Sequence, residues 1–181
     1  MRPQSLKQMV GQQDLLKAGQ PLRQIIDQHV NIPLILWGPP GTGKTSLAQI
    51  IASQDDYPFV AFNASTENKA QLTKAIAQYP EQSFVLLIDE IHRMTKTLQD
   101  FLLPYLENGH VMLIGSTTEN PIMSIVPAIR SRCQIFEFQP LSDTDIEIAL
   151  RRAVTDIYNL TDDQVDAKAP VSYTHLTLPT N

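Results

Sequence analysis

At 181 residues, 43% hydrophobic and 18% charged, the chain has room for one good-sized core plus a fragment, in the composition range of a globular domain. A net charge of −5 has the wrong sign for a domain that holds nucleic acid by bulk electrostatics, and leaves open a local basic surface, an assembled ring or segments outside this sequence as routes to nucleic acid. Cys133 stands alone, so an internal disulfide is excluded, and His29, His92, His110 and His175 lack ligand spacing and read as surface or capping residues.

The N-terminus Met1-Arg2-Pro3-Gln4-Ser5 lacks the apolar stretch of a signal peptide, and the longest apolar runs are strand-length, so the chain reads as cytoplasmic with no membrane partner. Val10-Gly11-Gln12 precedes a helical stretch at 14–18, and Pro21 opens a second helix with proline in its first turn. A first strand over 32–37 runs into Gly38-Pro39-Pro40-Gly41-Thr42-Gly43-Lys44-Thr45, and a helix follows from Lys44 through Ala52. Pro58 introduces a second strand, Phe59 to Phe62, whose β-branched and aromatic content predicts burial; it ends on Asn63-Ala64-Ser65. Glu67 to Tyr79 has helical periodicity, and Phe84 to Ile88 is a third strand finished by Asp89 and Glu90.

Thr95 to Glu107 is helical, with Pro104 expected to kink or shorten it and Asn108-Gly109 to stop it. Val111 to Gly115 and Gln134 to Phe138 are the fourth and fifth strands. Apolar strands alternating with helices predict a parallel sheet covered on both faces. Past Pro140, Ser142 and Asp145 form a capping box, and a stripe from Ile146 to Ile157 predicts the first helix of a small second domain, with another helix over 161–169. Pro170 ends that helix, and residues 171–181 resemble a translated vector scar, excluded from fold reasoning.

The Gly38 to Thr45 segment has the pattern of a phosphate-binding loop in its required strand-to-helix context. Polyphosphate needs backbone N–H groups aimed inward at close range, and side chains at Gly38, Gly41 and Gly43 would obstruct them. Lys44 would reach the outer phosphates as a point charge, Thr45 would place its hydroxyl on Mg²⁺, and Pro39, Pro40, Thr42 and Ser46 complete the segment around ATP. Asp89 and Glu90 end a strand at the sheet edge where open α/β sheets bind ligand. There Asp89 would hold Mg²⁺ and Glu90 would polarise the attacking water as general base. A whole strand between the loop and this pair points to a hydrolytic motor rather than a small GTPase. Asn63 and Thr118 end strands at the same edge, as partners of Glu90 and of the γ-phosphate or as plain turn residues; spacing leaves both open. Arg130 and Arg132 are equally open between an arginine finger and surface ion pairs.

These motifs together resemble an AAA+ ATPase core. Asp89-Glu90-Ile91-His92-Arg93, Leu102-Leu103-Pro104 with Glu107 and Gly109, and Ser116-Thr117-Thr118-Glu119-Asn120-Pro121 further resemble the RarA/MgsA family of replication-associated recombination proteins, relatives of the eukaryotic Werner-helicase-interacting ATPase. Arg2-Pro3, Val10-Gly11-Gln12 and Gly19-Gln20-Pro21-Leu22 fit the start of that family. The resemblance implies a P-loop αβα parallel sheet of strand order 5-1-4-3-2 over residues 1–140, an incomplete helical lid over 141–169 and a non-native tail over 170–181. It implies that Val10 and Gly11 line the adenine, that Thr118 is the sensor beside the γ-phosphate, and that Asn63 is the switch restraining Glu90. Arg132 becomes the finger offered to a neighbouring subunit. It also implies a DNA-dependent ATPase acting at forks, gaps and single-strand/duplex junctions, as a homo-oligomer beside single-strand-binding protein, in the nucleoid. Ser131-Arg132-Cys133 and Asn63-Ala64-Ser65 are similar to clamp-loader motifs as well, so a clamp-loader subunit is the alternative, with a nucleotide-binding interaction platform as a third reading.

The family's lid arginine and assembly domain lie beyond the last residue of this sequence. The chain alone is therefore expected to bind nucleotide and to hydrolyse it poorly, because an arginine finger is worth roughly 10³ to 10⁵ in rate. DNA-stimulated turnover equal to that of a full-length relative would contradict this.

Overall fold

The computed structural model describes residues 3–54 and 57–158. One compact unit is Pro3–Pro140, and a second begins at Leu141. In the first unit five parallel strands, β1 (Leu34–Trp37), β2 (Phe59–Asn63), β3 (Phe84–Asp89), β4 (Val111–Thr117) and β5 (Gln134–Glu137), pair in the order β2-β3-β4-β1-β5. This is the order that the resemblance implies, read from the other edge.

Side-chain alternation along the central strands builds two cores. Phe84, Leu86 and Ile88 of β3 face one way, into a cluster with Leu72 and Ile76 of α4 (Lys69–Ala77) and Leu102 and Leu106 of α5 (Lys96–Glu107). Val85 and Leu87 face the other way, with Leu34 and Leu36 of β1, Leu47 and Ile51 of α3 (Lys44–Gln54), and Leu22 and Ile26 of α2 (Pro21–Asp27). Burying a Leu or Phe side chain contributes about 1.5–3 kcal/mol, so these two layers dominate the stability of the unit. They also hold the carboxyl ends of β1, β3 and β4 in fixed register, with Leu36 beside Ser116 and Ile88 beside Gly115.

Two expectations from the sequence need correction. The second strand is not buried: β2 lies at the sheet edge, Phe62 is its one buried residue, and Ala61 faces solvent. Val60 and Phe62 pack against one core and Phe59 against the other, but only Phe62 is fully covered. Pro104 does not shorten α5, which continues to Glu107. Proline forfeits only the bond to the carbonyl four residues back, and here it falls in the last turn, where the Pro104 carbonyl still accepts from Asn108 N at 3.1 Å.

Helix ends follow local chemistry. Asn68 caps α4 through Ala70 N and Gln71 N, with Gln71 closing a capping box, and Thr95 caps α5 through Leu98 N. Short helices α1 (Gln13–Leu16), α6 (Pro121–Ser124) and α7 (Pro127–Arg130) fill the connections, each too brief for periodicity to reveal. In the second unit α8 (Asp143–Tyr158) opens on the expected capping box, Ser142 N on Asp145 Oδ2 at 3.0 Å and Asp145 N on Ser142 Oγ at 3.1 Å. The Ser142 hydroxyl, which donates to Asp145 Oδ2 at 2.7 Å, and then the Ser142 N–H hold the Asp145 carboxyl below the usual range. The second helix expected over 161–169 and the tail lie outside the described residues. Among the described residues no helix is long and apolar enough to cross a membrane.

Gly38 follows β1 at φ +144°, and a Cβ there would run into the Phe138 carbonyl oxygen, a backbone atom held in turn by the Phe138 N–H bond to Trp37 O. Gly38→Ala is therefore expected to lower stability by about 2–5 kcal/mol, from left-handed backbone strain and overpacking together. An unchanged urea midpoint would show that the loop entry is free to move.

Candidate nucleotide site

The loop between β1 and α3 is anchored at its first residue, where Gly38 N donates to Thr117 O on β4 at 3.1 Å. Gly41 at φ +76° and Gly43 at φ +97° take backbone conformations that side-chain-bearing residues resist, which turns the chain back on itself before α3. Beside the loop, a Cβ on Gly43 would come within 2.9 Å of Met9 Cε, so the segment leading into Val10 and Gly11 lies against the phosphate loop.

Lys44 opens α3 with its side chain folded back into that loop. Its Nζ donates to Pro39 O at 2.6 Å and Gly38 O at 2.9 Å, and stands 3.4 Å from Thr42 Oγ1. The residue is buried, and burial lowers its pKa from the ordinary lysine value, partly opposed by the charges of Asp89 and then Glu90. Thr42 Oγ1 donates to Pro39 O at 2.9 Å and tightens the same turn.

Two carboxylates face this loop from the end of β3. Asp89 Oδ1 accepts a short hydrogen bond from Ser116 Oγ on β4, and Asp89 O accepts from Ala64 N at 3.0 Å. Glu90 leaves the strand in the left-handed region, φ 56° and ψ 42°, uncommon for a residue with a side chain. That conformation turns the chain from β3 into a single 3-10 turn, Ile91–Arg93, and brings Glu90 to the cavity wall. A cavity of about 300 Å³ is lined by Pro40, Gly41, Thr42, Gly43, Lys44, Thr45, Ser46, Asp89, Glu90, Ser116, Thr117 and Thr118. One concave site thus gathers a buried cation, a glycine loop at a helix N-terminus, a hydroxyl on the first turn and two strand-end carboxylates.

The family model of the ATPase family associated with various cellular activities (AAA) matches residues 34–141. The chain belongs to the AAA family of ATPases. Its sequence is similar to replication-associated recombination protein A of Bacillus subtilis (strain 168), at 45% identity over 158 residues, covering 86% of this chain and 37% of that protein. The protein of the same name from Escherichia coli (strain K12) is 40% identical over 161 residues, covering 86% of this chain and 36% of its own length. The chain thus spans a little over a third of the length of these curated relatives. Its fold is similar to the solved Thermotoga maritima RuvB Holliday junction branch migration motor, with a TM-score of 0.71 and 28% identity over 87% of this chain and 55% of that one. The likeness first seen in the Thr-Thr-Glu-Asn-Pro segment therefore extends over most of this AAA chain.

Within the AAA site the expected residues divide. The loop, Asp89, Glu90 and Thr118 meet at the cavity, and Thr118 is exposed toward it. Asn63 does not hold Glu90 here: its Oδ1 accepts from Ser65 N at 2.9 Å, and its own N–H donates to Glu67 Oε2 at 2.5 Å. Val10 and Gly11 lie outside the cavity lining, and Gly11 is buried. Next to them the buried Gln12 exchanges two bonds with Gln139 after β5, Nε2 to O at 2.7 Å and N to Oε1 at 3.0 Å, a tether that the sequence pattern did not single out. Arg132 pairs with Glu107 Oε1 at 2.5 Å and donates to Ala128 O at 2.6 Å, at the surface. Arg130 instead holds its own loop, donating to Ile122 O at 2.5 Å and Ile125 O at 3.3 Å. The adjoining Cys133 thiol is pushed up to about 12 by burial, with Arg132 opposing, which leaves it chemically inert at neutral pH.

The residue missed most plainly is His92. Read as a surface or capping residue, its side chain is 4% exposed and lies between Glu90 and β4. Only its position two residues after Glu90 could have signalled this.

Proposed function

We propose that this AAA site binds Mg-ATP and hydrolyses its terminal phosphoanhydride, and that the reaction drives remodelling of DNA at stalled or gapped replication forks. The observation that carries the hydrolytic half is Glu90: a carboxylate on a left-handed strand end, lining the same cavity as a complete phosphate loop. A binding module gains nothing from such a carboxylate, whereas a hydrolase needs a base beside the phosphates.

The residues fit the nucleotide and its metal. Lys44 Nζ is already desolvated and held by carbonyl acceptors, so phosphate oxygens replace those acceptors without a further desolvation cost to the cation. The open backbone of the loop and the first turn of α3 supply N–H donors to the phosphates. Thr45 and Asp89 would hold Mg²⁺, which supplies charge neutralisation at the phosphates. Ser116, by its bond to Asp89, fixes the carboxylate orientation. Glu90 takes a proton from the attacking water, and Thr118 orients that water or the γ-phosphate from the opposite strand end. Val10 and Gly11, held beside the loop by Met9 packing and the Gln12 tether, form the adenine side.

Arg132 serves a neighbouring copy. In its own chain it is engaged at the surface by the Ala128 carbonyl and by Glu107, the latter an exposed pair worth about 1 kcal/mol or less, and so is available for exchange to a phosphate across a subunit interface. Fork DNA, single-strand-binding protein, a homo-oligomer and a place at the nucleoid follow from the names of the relatives and from the resemblance, and α8 serves as the first helix of a lid.

Glu90→Gln separates hydrolysis from binding. ATP affinity is expected to stay within about threefold of wild type while turnover falls about 10²-fold or more. Equal turnover in the variant would remove Glu90 as the base and leave a nucleotide-binding platform.

A further inference from the structure

His92 lies where the residue expected to control Glu90 should be. It follows Glu90 by two positions in the 3-10 turn Ile91–Arg93, which is closed by Arg93 N on Glu90 O at 2.8 Å and Met94 N on Ile91 O at 3.1 Å. Ile91, fully buried, is wedged against Gly115 of β4, where any Cβ would meet Ile91 Cδ1 at 2.9 Å. The missing side chain at Gly115 thus lets the turn seat tightly on the sheet, and His92 has little freedom to move.

Its two ring nitrogens have different neighbours. Nδ1 is 2.9 Å from Thr117 Oγ1. Nε2 is 3.2 Å from Glu90 Oε2 and 3.6 Å from Glu119 Oε1, so a proton on Nε2 faces carboxylate oxygens and a lone pair there would oppose them. With that proton on Nε2, neutral Nδ1 must accept, and the Thr117 hydroxyl is there to donate. Thr117 Oγ1 can do so while accepting from Glu119 N at 3.0 Å, its single proton being shared between Nδ1 and Glu119 O, which lies 3.2 Å away. The backbone carbonyl of the same Thr117 holds Gly38 N at the entry to the phosphate loop. A continuous path therefore joins Glu90, the imidazole, β4 and the loop.

We propose that His92 is the positioning residue of Glu90, its Nε2–H holding the base carboxylate at the cavity wall and its Nδ1 locked to Thr117. The role rests on the reading of Glu90 as the base. Two carboxylates stand near Nε2, Glu90 at 3.2 Å and Glu119, 61% exposed, at 3.6 Å as the outer and looser partner. Asn63 Oδ1, by contrast, accepts from Ser65 N.

The test is ATP binding and steady-state hydrolysis by His92→Gln, His92→Asn and His92→Phe beside Glu90→Gln. Gln carries its amide nitrogen about as far from the backbone as Nε2, whereas Asn reaches only to the place of Nδ1. ATP affinity is expected to stay within about threefold in all three, and kcat to fall about 10²-fold in the Phe and Asn variants, with Gln recovering to within about tenfold of wild type. A side chain needed only for packing, or only to satisfy Thr117, would instead be replaced by Asn as well as by Gln. Should His92→Phe fail to fold, Thr117→Val, which frees the ring without removing it, is expected to lower kcat about tenfold at unchanged affinity. Unchanged or raised kcat in the folded His92 variants, or equal rescue by Asn, with Glu90→Gln inactive, overturns the role of His92 alone. Normal hydrolysis by Glu90→Gln overturns the base and, with it, this role.

Discussion

A buried ammonium holds the site together. Lys44 Nζ is taken out of water among the carbonyls of Gly38 and Pro39, and unless those acceptors stay in place its burial has no compensation. The loop is accordingly pinned from outside: Gly38 N to Thr117 O on one neighbouring strand, and the Phe138 carbonyl pressed against Gly38 beyond β5 on the other. The loop shape, the start of α3 and the direction of the lysine are one constraint. Glycine at 38, 41 and 43 permits it, and the five-stranded sheet enforces it.

The carboxylate side depends on the same strand, β4. Ser116 holds Asp89, Thr117 holds both the loop entry and His92, Thr118 lines the cavity, and Gly115 makes room for Ile91. Consecutive residues on a strand point to opposite faces, so neighbours at the end of β4 and just beyond it serve different partners. This places the chemistry of an AAA ATPase on the seam between β1, β3 and β4, at the carboxyl edge where open α/β sheets bind ligands.

How much of this could be read beforehand follows from the range of the forces involved. The shape of the Gly38 to Thr45 loop and the place of Asp89-Glu90 at a strand end were legible because their requirements are local: positive φ, a close backbone approach, a helix start, an apolar strand ending in acid. Strand order followed from resemblance, not from periodicity. What was not legible depends on tertiary position. The edge placement of β2 is invisible in a run that reads Phe-Val-Ala-Phe. The Asn63 side chain was free by sequence to reach Glu90, yet its Oδ1 is taken up locally by the Ser65 N–H. Gln12 and His92 look like ordinary polar residues until Gln139 and Thr117, 127 and 25 positions away respectively, are brought beside them.

The central claim is that the Lys44 cavity is the nucleotide site, and the most direct measurement is calorimetric titration of Mg-ATP into wild type and Lys44→Ala, with urea unfolding of both as a check on the fold. The account requires a single site in wild type and a loss of affinity of about 10²-fold or more in the variant, since Lys44 is the one cationic side chain lining the cavity among the described residues. Equal affinity in a folded Lys44→Ala chain would place the nucleotide elsewhere and contradict the account.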